Sequence, residues 1–294
     1  MHQANKPPSI RPNALIALVA PAGPFDRQTL FSGLAWLRTR YRVRVSARIF
    51  EKHGYLAGDD DRRAGELSLA MTDPEVDAII CARGGYGAMR ILDRLPWQVF
   101  AERPKWLVGF SDITALHVMA NARGVATIHS PNVTGLGRTI APLERLALID
   151  ALEGGPLPAW RGLDVIREGR ARGPVVGGNL ALVAAMAAAN QLAVPEGAIV
   201  VLEDVTEKPY RVDRMLTSLL LGGHLARASA IVFGGFTQCD AGPDGMTVEQ
   251  VLRDRTAQLN VPVVAGAPFG HGDPNRAFVL GAEASLDANT LTFG

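Results

Sequence analysis

The sequence predicts an α/β protein in which an N-terminal doubly wound, mostly parallel sheet domain precedes a smaller mixed α/β domain. Three observations carry that expectation. Short, predominantly apolar runs such as Leu15–Ala20, Val76–Ala82 and Trp106–Phe110 read as strands buried on both faces. Segments with a helical apolar period lie between them, the alternation that builds a parallel sheet. A Gly- and Pro-rich stretch, Glu153–Pro158, divides the 294 residues near their middle, and roughly 150 residues per domain makes two domains the natural reading of this length. The predicted units are 13–152 and 163–294.

Taken in order, Leu15–Ala20 forms the first strand and breaks at Pro-Ala-Gly-Pro. Asp26–Arg40 places Leu30, Phe31, Leu34 and Leu37 on one helical face, with Asp26 positioned to cap it. Tyr41–Ile49 alternates like a half-buried strand, and Asp59–Met71 is a helix ended by Asp73-Pro74. Val76–Ala82 is a strand running into Arg83-Gly84-Gly85-Tyr86-Gly87, after which Ala88–Leu95 reads as helical. Trp106–Phe110, Asp112–Asn121 and Val125–Ile128 then give strand, helix and strand, and a helix over Ala141–Ala151 closes this half. In the second half, strands are expected at Leu163–Arg167, Ile199–Leu202, Ile231–Phe233, Val261–Val264, Ala277–Leu280 and Ala284–Leu286, and helices at Asn179–Ala189, Arg211–Leu221 and Val248–Leu259. The uncharged run Gly173–Val194 reads as strand, turn and buried helix because Gly-Pro and Gly-Gly interrupt it, and it is not a membrane span.

Composition narrows the function. Lys plus Arg total 30 and Asp plus Glu 29, so the net charge is +1 and there is no electrostatic footprint for nucleic acid. No basic cluster flanks an amphipathic stretch that would suit a membrane surface. Two cysteines, Cys81 and Cys239, make no disulfide framework, and no Cys/His spacing reads as a zinc site. The first twelve residues are polar and Pro-rich without an apolar core, unlike a secretory signal, so the expected location is the cytoplasm.

Several residues could carry chemistry. Ser111 lies in Gly109-Phe110-Ser111-Asp112, where a buried strand turns into a helix. Such a turn projects the hydroxyl from the sheet edge and leaves the next backbone N–H free, but Ser111 could equally be a helix cap, and Ile113 stands where a nucleophile elbow has its second Gly. The Gly84-Gly85-Tyr86-Gly87 loop permits close backbone approach, as an oxyanion donor, a phosphate cradle or a plain turn. It matches neither nucleotide-binding motif. Gly177-Gly178-Asn179 offers the same choice between function and helix packing. Among the histidines, His271 sits between glycines in a loop, a better place for chemistry than His117 on a helix face, although loop histidines are often only solvated. His129 ends a strand and His2 is in the tail. Glu203-Asp204 follows a buried strand, where a carboxylate can orient an imidazole or pair with Arg211 or Arg214. Cys81, inside an apolar run, reads as an inert core thiol.

Together these segments resemble the LD-carboxypeptidase family of serine peptidases, which includes murein tetrapeptide carboxypeptidases and microcin C immunity peptidases. The resemblance runs from Val19-Ala20-Pro21 to the last strands. It rests most on Ile79–Arg90, Val108–Leu116, Leu202-Glu203-Asp204 with Tyr210–Leu216, and Gly270-His271-Gly272. It implies a Ser111, Glu203, His271 triad, the serine from the first domain and its partners from the second, so that the active site lies between them. It also implies an oxyanion hole made by the backbone N–H groups of Asp112 and Gly85. Glu207 is the rival for the acid. His129-Ser130-Pro131 departs from the family pattern, which commonly has Gly between His and Pro.

The implied reaction is hydrolysis of the L,D-peptide bond before a C-terminal D-amino acid, as in murein tetrapeptide ending in D-Ala, within peptidoglycan recycling. No metal or organic cofactor is implied, the expected partner is a small peptide, and a homodimer stays open. The terminal carboxylate needs donors. Arg83 adjoins the glycine loop, with a structural role equally open. Two alternatives stand beside this reading. One is an immunity-type peptidase acting on peptidyl-nucleotide antibiotics, which tends to carry a longer insertion than the 92 positions between Ser111 and Glu203. The other is a protein that holds an anionic ligand in its glycine loops without chemistry.

Overall fold

The computed structural model describes residues 4–138 and 142–294, so His2 and the expected helix start at Ala141 lie outside the described residues. The first half contains β1 (Leu15–Val19), α1 (Arg27–Arg38), β2 (Arg42–Val45), α2 (Asp60–Thr72), β3 (Ala78–Cys81), α3 (Trp97–Glu102), β4 (Trp106–Gly109), α4 (Thr114–Asn121), β5 (Thr127–His129), α5 (Val133–Leu136) and α6 (Pro142–Glu153). The second contains β6 (Asp164–Arg167), β7 (Arg170–Asn179), α7 (Leu180–Ala188), β8 (Ala198–Val205), α8 (Pro209–Leu221), β9 (Ala228–Thr237), α9 (Val248–Thr256), β10 (Val263–Ala265), β11 (Phe278–Leu280), β12 (Glu283–Asp287) and β13 (Thr290–Phe293).

These elements make two mixed sheets. The first has the order β11-β5-β4-β3-β1-β2, parallel from β2 through β5. Its central strands β1, β3 and β4 are apolar throughout because both faces are covered, whereas the edge strand β2 alternates Arg and Val. Ile16 and Leu18 of β1 pack with Leu30, Leu34 and Leu37 of α1, while Leu15, Ala17 and Val19 pack with Leu67 and Met71 of α2. The second sheet has the order β13-β12-β7-β8-β9-β10-β6, with β7 to β10 parallel and the outer strands antiparallel. On β8, Val200 and Leu202 face Leu216 and Leu219 of α8, and Ile199 and Val201 face Trp160, Phe269 and Phe278. The α/β architecture expected from the sequence is the one observed.

Several elements differ in extent. The strand expected over Tyr41–Ile49 stops at Val45, because Ser46 accepts a hydrogen bond from Arg48 N–H and starts a 3-10 turn. Ala88–Arg94 is a 3-10 helix rather than an α-helix. The helix after Ser111 begins as a 3-10 turn over Ser111–Ile113. The strand delivering Glu203 extends through it to Val205, and β9 runs well beyond Ile231–Phe233. The strand expected at Ala277–Leu280 leaves the second sheet and pairs antiparallel with β5 of the first. Among the described residues no helix is long and apolar enough to cross a membrane.

Candidate active site

Ser111 follows β4 at the C-terminal edge of the parallel sheet, where crevices form in open α/β folds. Its φ is +66°, a left-handed conformation that costs a non-glycine residue about 1–3 kcal/mol and turns the side chain out of the sheet. Such strain is retained where the surroundings dictate it. Gly109 leaves room for the turn, since a Cβ there would lie 2.9 Å from Asn132 Oδ1. His117 supports it from beneath through Nε2 at 2.9 Å from the Gly109 carbonyl.

The second sheet brings the other two groups. Glu203 is fully buried near the end of β8, opposite a bulge at Gly234 and Gly235 of β9. His271 is carried by the loop between β10 and β11. Its Nδ1 lies 2.8 Å from Glu203 Oε2 and its Nε2 2.9 Å from Ser111 Oγ. Gly270, at φ +127°, lets the loop pass over the acid, because a Cβ there would stand 2.9 Å from Glu203 Oε2. Phe110 packs its ring 4.8 Å from the imidazole. Ser111, Glu203 and His271 are therefore brought into one hydrogen-bonded line. Glu207 points elsewhere and pairs with Arg211 at 3.6 Å, so the pairing considered for Glu203 with Arg211 belongs to Glu207 instead.

Asp112, one of the two residues expected to offer a backbone N–H, follows the serine directly, and the glycine loop that carries the other packs over it. Asp112 N–H belongs to the first turn after it, where helical N–H groups lack partners. Gly84 sits directly over Ser111: an added Cβ would lie 2.8 Å from Ser111 Cβ and 3.2 Å from Asp112 N. The Gly84 carbonyl accepts from Gly23 N–H at 3.0 Å, so in a trans peptide the Gly85 N–H points away from Gly23. The glycine loop thus closes over Ser111 beside the Asp112 N–H.

Arg63 and Thr114, which sequence reasoning did not single out, hold this geometry together with the side chains of Asn179, Asp204 and Asp112, which it named only within their motifs. Asn179 caps α7 through Leu182 N–H and gives its side-chain N–H groups to Asp204 Oδ1 at 2.9 Å and Glu203 Oε1 at 3.3 Å. Thr114 Oγ1 accepts from Asn179 N–H at 3.0 Å and joins the two sheets at the site. Asp204 also accepts from Ala181 N–H, and burial pushes its pKa up to about 6. Asp112 uses its buried carboxylate to accept from Ala88 N–H at 2.8 Å, and burial raises its pKa. Arg63, fully buried, donates to the carbonyls of Pro21 (2.5 Å) and Gly87 (2.7 Å) and pairs with Asp60, tying the far end of the glycine loop to the turn after β1. Nothing in the Asp-Asp-Arg-Arg run of α2 distinguishes Arg63 from a solvated residue.

The remaining candidates are packing groups. His117 and His129 are buried, and burial lowers their pKa values to about 4 and about 3. His129 Nε2 lies 3.2 Å from Asn275 Oδ1, which also accepts from Gly270 N–H and so steadies the loop of His271. Burial raises the Cys81 thiol pKa, which removes its nucleophilic form. Among the described residues no group of three or more His, Cys, Asp or Glu is placed to hold a metal.

Comparison with known proteins gives consistent likenesses. Residues 16–130 match the LD-carboxypeptidase N-terminal domain and residues 172–286 the LD-carboxypeptidase C-terminal domain. The murein tetrapeptide carboxypeptidase of Pseudomonas aeruginosa is 34% identical over 290 residues, 94% of each chain. Among solved structures, muramoyltetrapeptide carboxypeptidase from Oxalobacter formigenes superposes with a TM-score of 0.87 at 28% identity, over 95% of this chain and 98% of that one. An MccF-like protein from Bacillus anthracis does so with 0.88 at 21% identity over 99% of both, a likeness of fold.

Proposed function

The chain belongs to the LD-carboxypeptidase family, and from that premise we propose that it is a serine-type carboxypeptidase that releases the terminal D-amino acid of murein tetrapeptide in cytoplasmic peptidoglycan recycling. The observation that carries the reading is the line from Ser111 Oγ through His271 to Glu203, with contacts of 2.9 and 2.8 Å. His271 Nδ1–H donates to the buried Glu203, which leaves Nε2 as the acceptor for the Ser111 proton. Ser111 Oγ then attacks the scissile carbonyl, and the resulting oxyanion accepts hydrogen bonds from Asp112 N–H and Gly85 N–H. His271 passes the proton to the departing amine, which leaves as the free D-amino acid. A water that gives its proton to the same nitrogen opens the acyl-enzyme and restores Ser111. Glu203 favours the imidazolium in both halves.

Incubation with L-Ala-γ-D-Glu-meso-diaminopimelyl-D-Ala, followed by mass spectrometry, tests the reading. Tripeptide and D-Ala are expected, and an L-Ala ending is expected to survive because inverting that centre turns its methyl or carboxylate away from its pocket. Ser111 is expected to label with a fluorophosphonate, which a binding protein without chemistry would not do. Equal release of D- and L-Ala, or no release at all, would refute it.

A further inference from the structure

Beside the glycine loop lies a second, basic cavity. It has a volume of about 360 Å³ and is lined by Asp26, Thr29, Lys52, Arg83, Thr134 and Arg138 among others. Arg83 follows β3 and Thr134 follows β5, so the cavity opens on the same C-terminal sheet edge as Ser111. Among the described residues that line it the one acid is Asp26, which is engaged in capping α1, with Oδ1 2.9 Å from Thr29 N. Among the described residues none of its three cations enters an ion pair, whereas the nearby Arg48, Arg62 and Arg63 all do. Arg83 is turned into place by a hydrogen bond from Nη1 to the Pro24 carbonyl. That bond leaves its remaining N–H groups for another acceptor.

From this we infer that the cavity is a carboxylate subsite: Arg83, assisted by Lys52 and Arg138, receives the free terminal carboxylate of the substrate. The inference rests on the carboxypeptidase reading and adds the group that makes the enzyme an exopeptidase. In a peptide about to lose its last residue, three covalent bonds separate the scissile carbon from the terminal carboxylate carbon, a span below about 4 Å. The carboxylate must therefore sit at the border of the oxyanion cleft. Arg83 is the residue preceding Gly84, whose added Cβ would lie 3.0 Å from Ser111 Oγ. The guanidinium itself borders the loop, with Cζ 3.9 Å from a Cβ built on Gly85 and Nη1 3.6 Å from one on Gly23. A planar guanidinium matches a carboxylate, and the two flanking cations raise the local potential for it. A peptide extended beyond the scissile bond would have to place uncharged backbone against these cations, so the cavity selects for a chain end.

The test compares the D-Ala tetrapeptide with its C-terminal amide. The enzymes are the wild type, Arg83→Gln, the double variant Lys52→Gln/Arg138→Gln, and the distant surface change Arg170→Gln as control. The wild type should strongly prefer the free acid. Arg83→Gln should lower kcat/KM for the free acid about 10- to 100-fold, mostly through KM, as expected for losing a charge-assisted hydrogen bond. It should barely alter hydrolysis of the amide, so the preference collapses. The double variant, whose side chains make no hydrogen bond within the described fold, should give a smaller loss of the same kind and carries the test if Arg83→Gln does not fold. Fluorophosphonate labelling of Ser111 should be unchanged in every variant. Retention of the wild-type preference by both variants, or equal losses on acid and amide, would overturn the subsite while leaving the carboxypeptidase reading intact. Failure of the wild type to release D-Ala from the free acid would overturn that reading and the subsite with it.

Discussion

Replacing Gly84 by alanine tests the oxyanion cleft while leaving Ser111, His271 and Glu203 themselves unchanged in the sequence. The added methyl would stand 2.8 Å from Ser111 Cβ, 3.0 Å from Ser111 Oγ and 3.2 Å from Asp112 N. Carbon atoms rest at about 3.5–4.0 Å, so the shortfall is close to 1 Å. Ser111 cannot yield easily, being held in a left-handed conformation and bonded to His271. The glycine loop must retreat instead. Oxyanion donors work within about 2.7–3.1 Å, and a retreat of this size removes the loop donor as effectively as deletion, about 10²–10³ in turnover or roughly 3–4 kcal/mol. Gly84 does not have a positive φ, so alanine meets no backbone penalty and the stability loss should stay within the roughly 1–3 kcal/mol of local overpacking. Release of D-Ala, read by mass spectrometry beside a thermal melt, measures both quantities. Gly124→Ala serves as comparison: φ is +74° and nothing lies within 4 Å of the new Cβ, so it should lose about 1 kcal/mol of stability and no turnover. Turnover of Gly84→Ala within fivefold of wild type would refute the placement of the oxyanion beneath this loop.

Three further outcomes follow from the same geometry. Ser111→Ala should fold and lose about 10³-fold or more in turnover, with Cys81→Ser nearly silent, as tetrapeptide hydrolysis by the purified variants will register. Glu203→Gln should cut turnover strongly with little change in melting temperature, while Glu207→Gln should be mild; the reverse result would move the acid to Glu207. His117→Gln probes pH linkage by urea unfolding. The folded pKa is depressed to about 4 from 6.5, so the unfolded chain binds the proton more tightly, and the contribution is full above pH 6.5 and lost as pH falls through 4. Between those limits the variant should lose stability on acidification less steeply than wild type, by at most about 1.4 kcal/mol per pH unit, and parallel curves would contradict the burial of a neutral imidazole.

Much of this fold is legible because parallel strands buried on both faces leave unbroken apolar runs, as Leu15–Val19 and Ala78–Cys81 do. The same logic conceals strand ends. β8 continues through Glu203 and Asp204 because buried partners accommodate their charges, which a hydropathy pattern cannot anticipate. β11 reads as a strand, but its pairing with β5 is a matter of long-range contact that no local signal carries. At the site, Ser111 and His271 stand out through their glycine-bordered turns and Glu203 through its strand end. Arg63 and Thr114 do not, since their hydrogen-bond partners, the Pro21 and Gly87 carbonyls and the Asn179 N–H, are brought in from distant segments.

The loop that carries His271 is fastened at one end to the second sheet, where the Phe269 carbonyl accepts from Gly235 N–H, and at the other to the first, through β11. The imidazole thus rides on a tether strung between two bodies. Sliding one sheet by about 1 Å against the other would part Nε2 from Ser111 while leaving every strand intact, and misplacement on that scale can cost about 10²-fold in rate. Catalytic output in this architecture is a gauge of how firmly the two sheets are docked. Substitutions along the seam far from the serine, at Thr114 or in the Gly177-Gly178 turn, would register first as lost turnover and only later as lost fold.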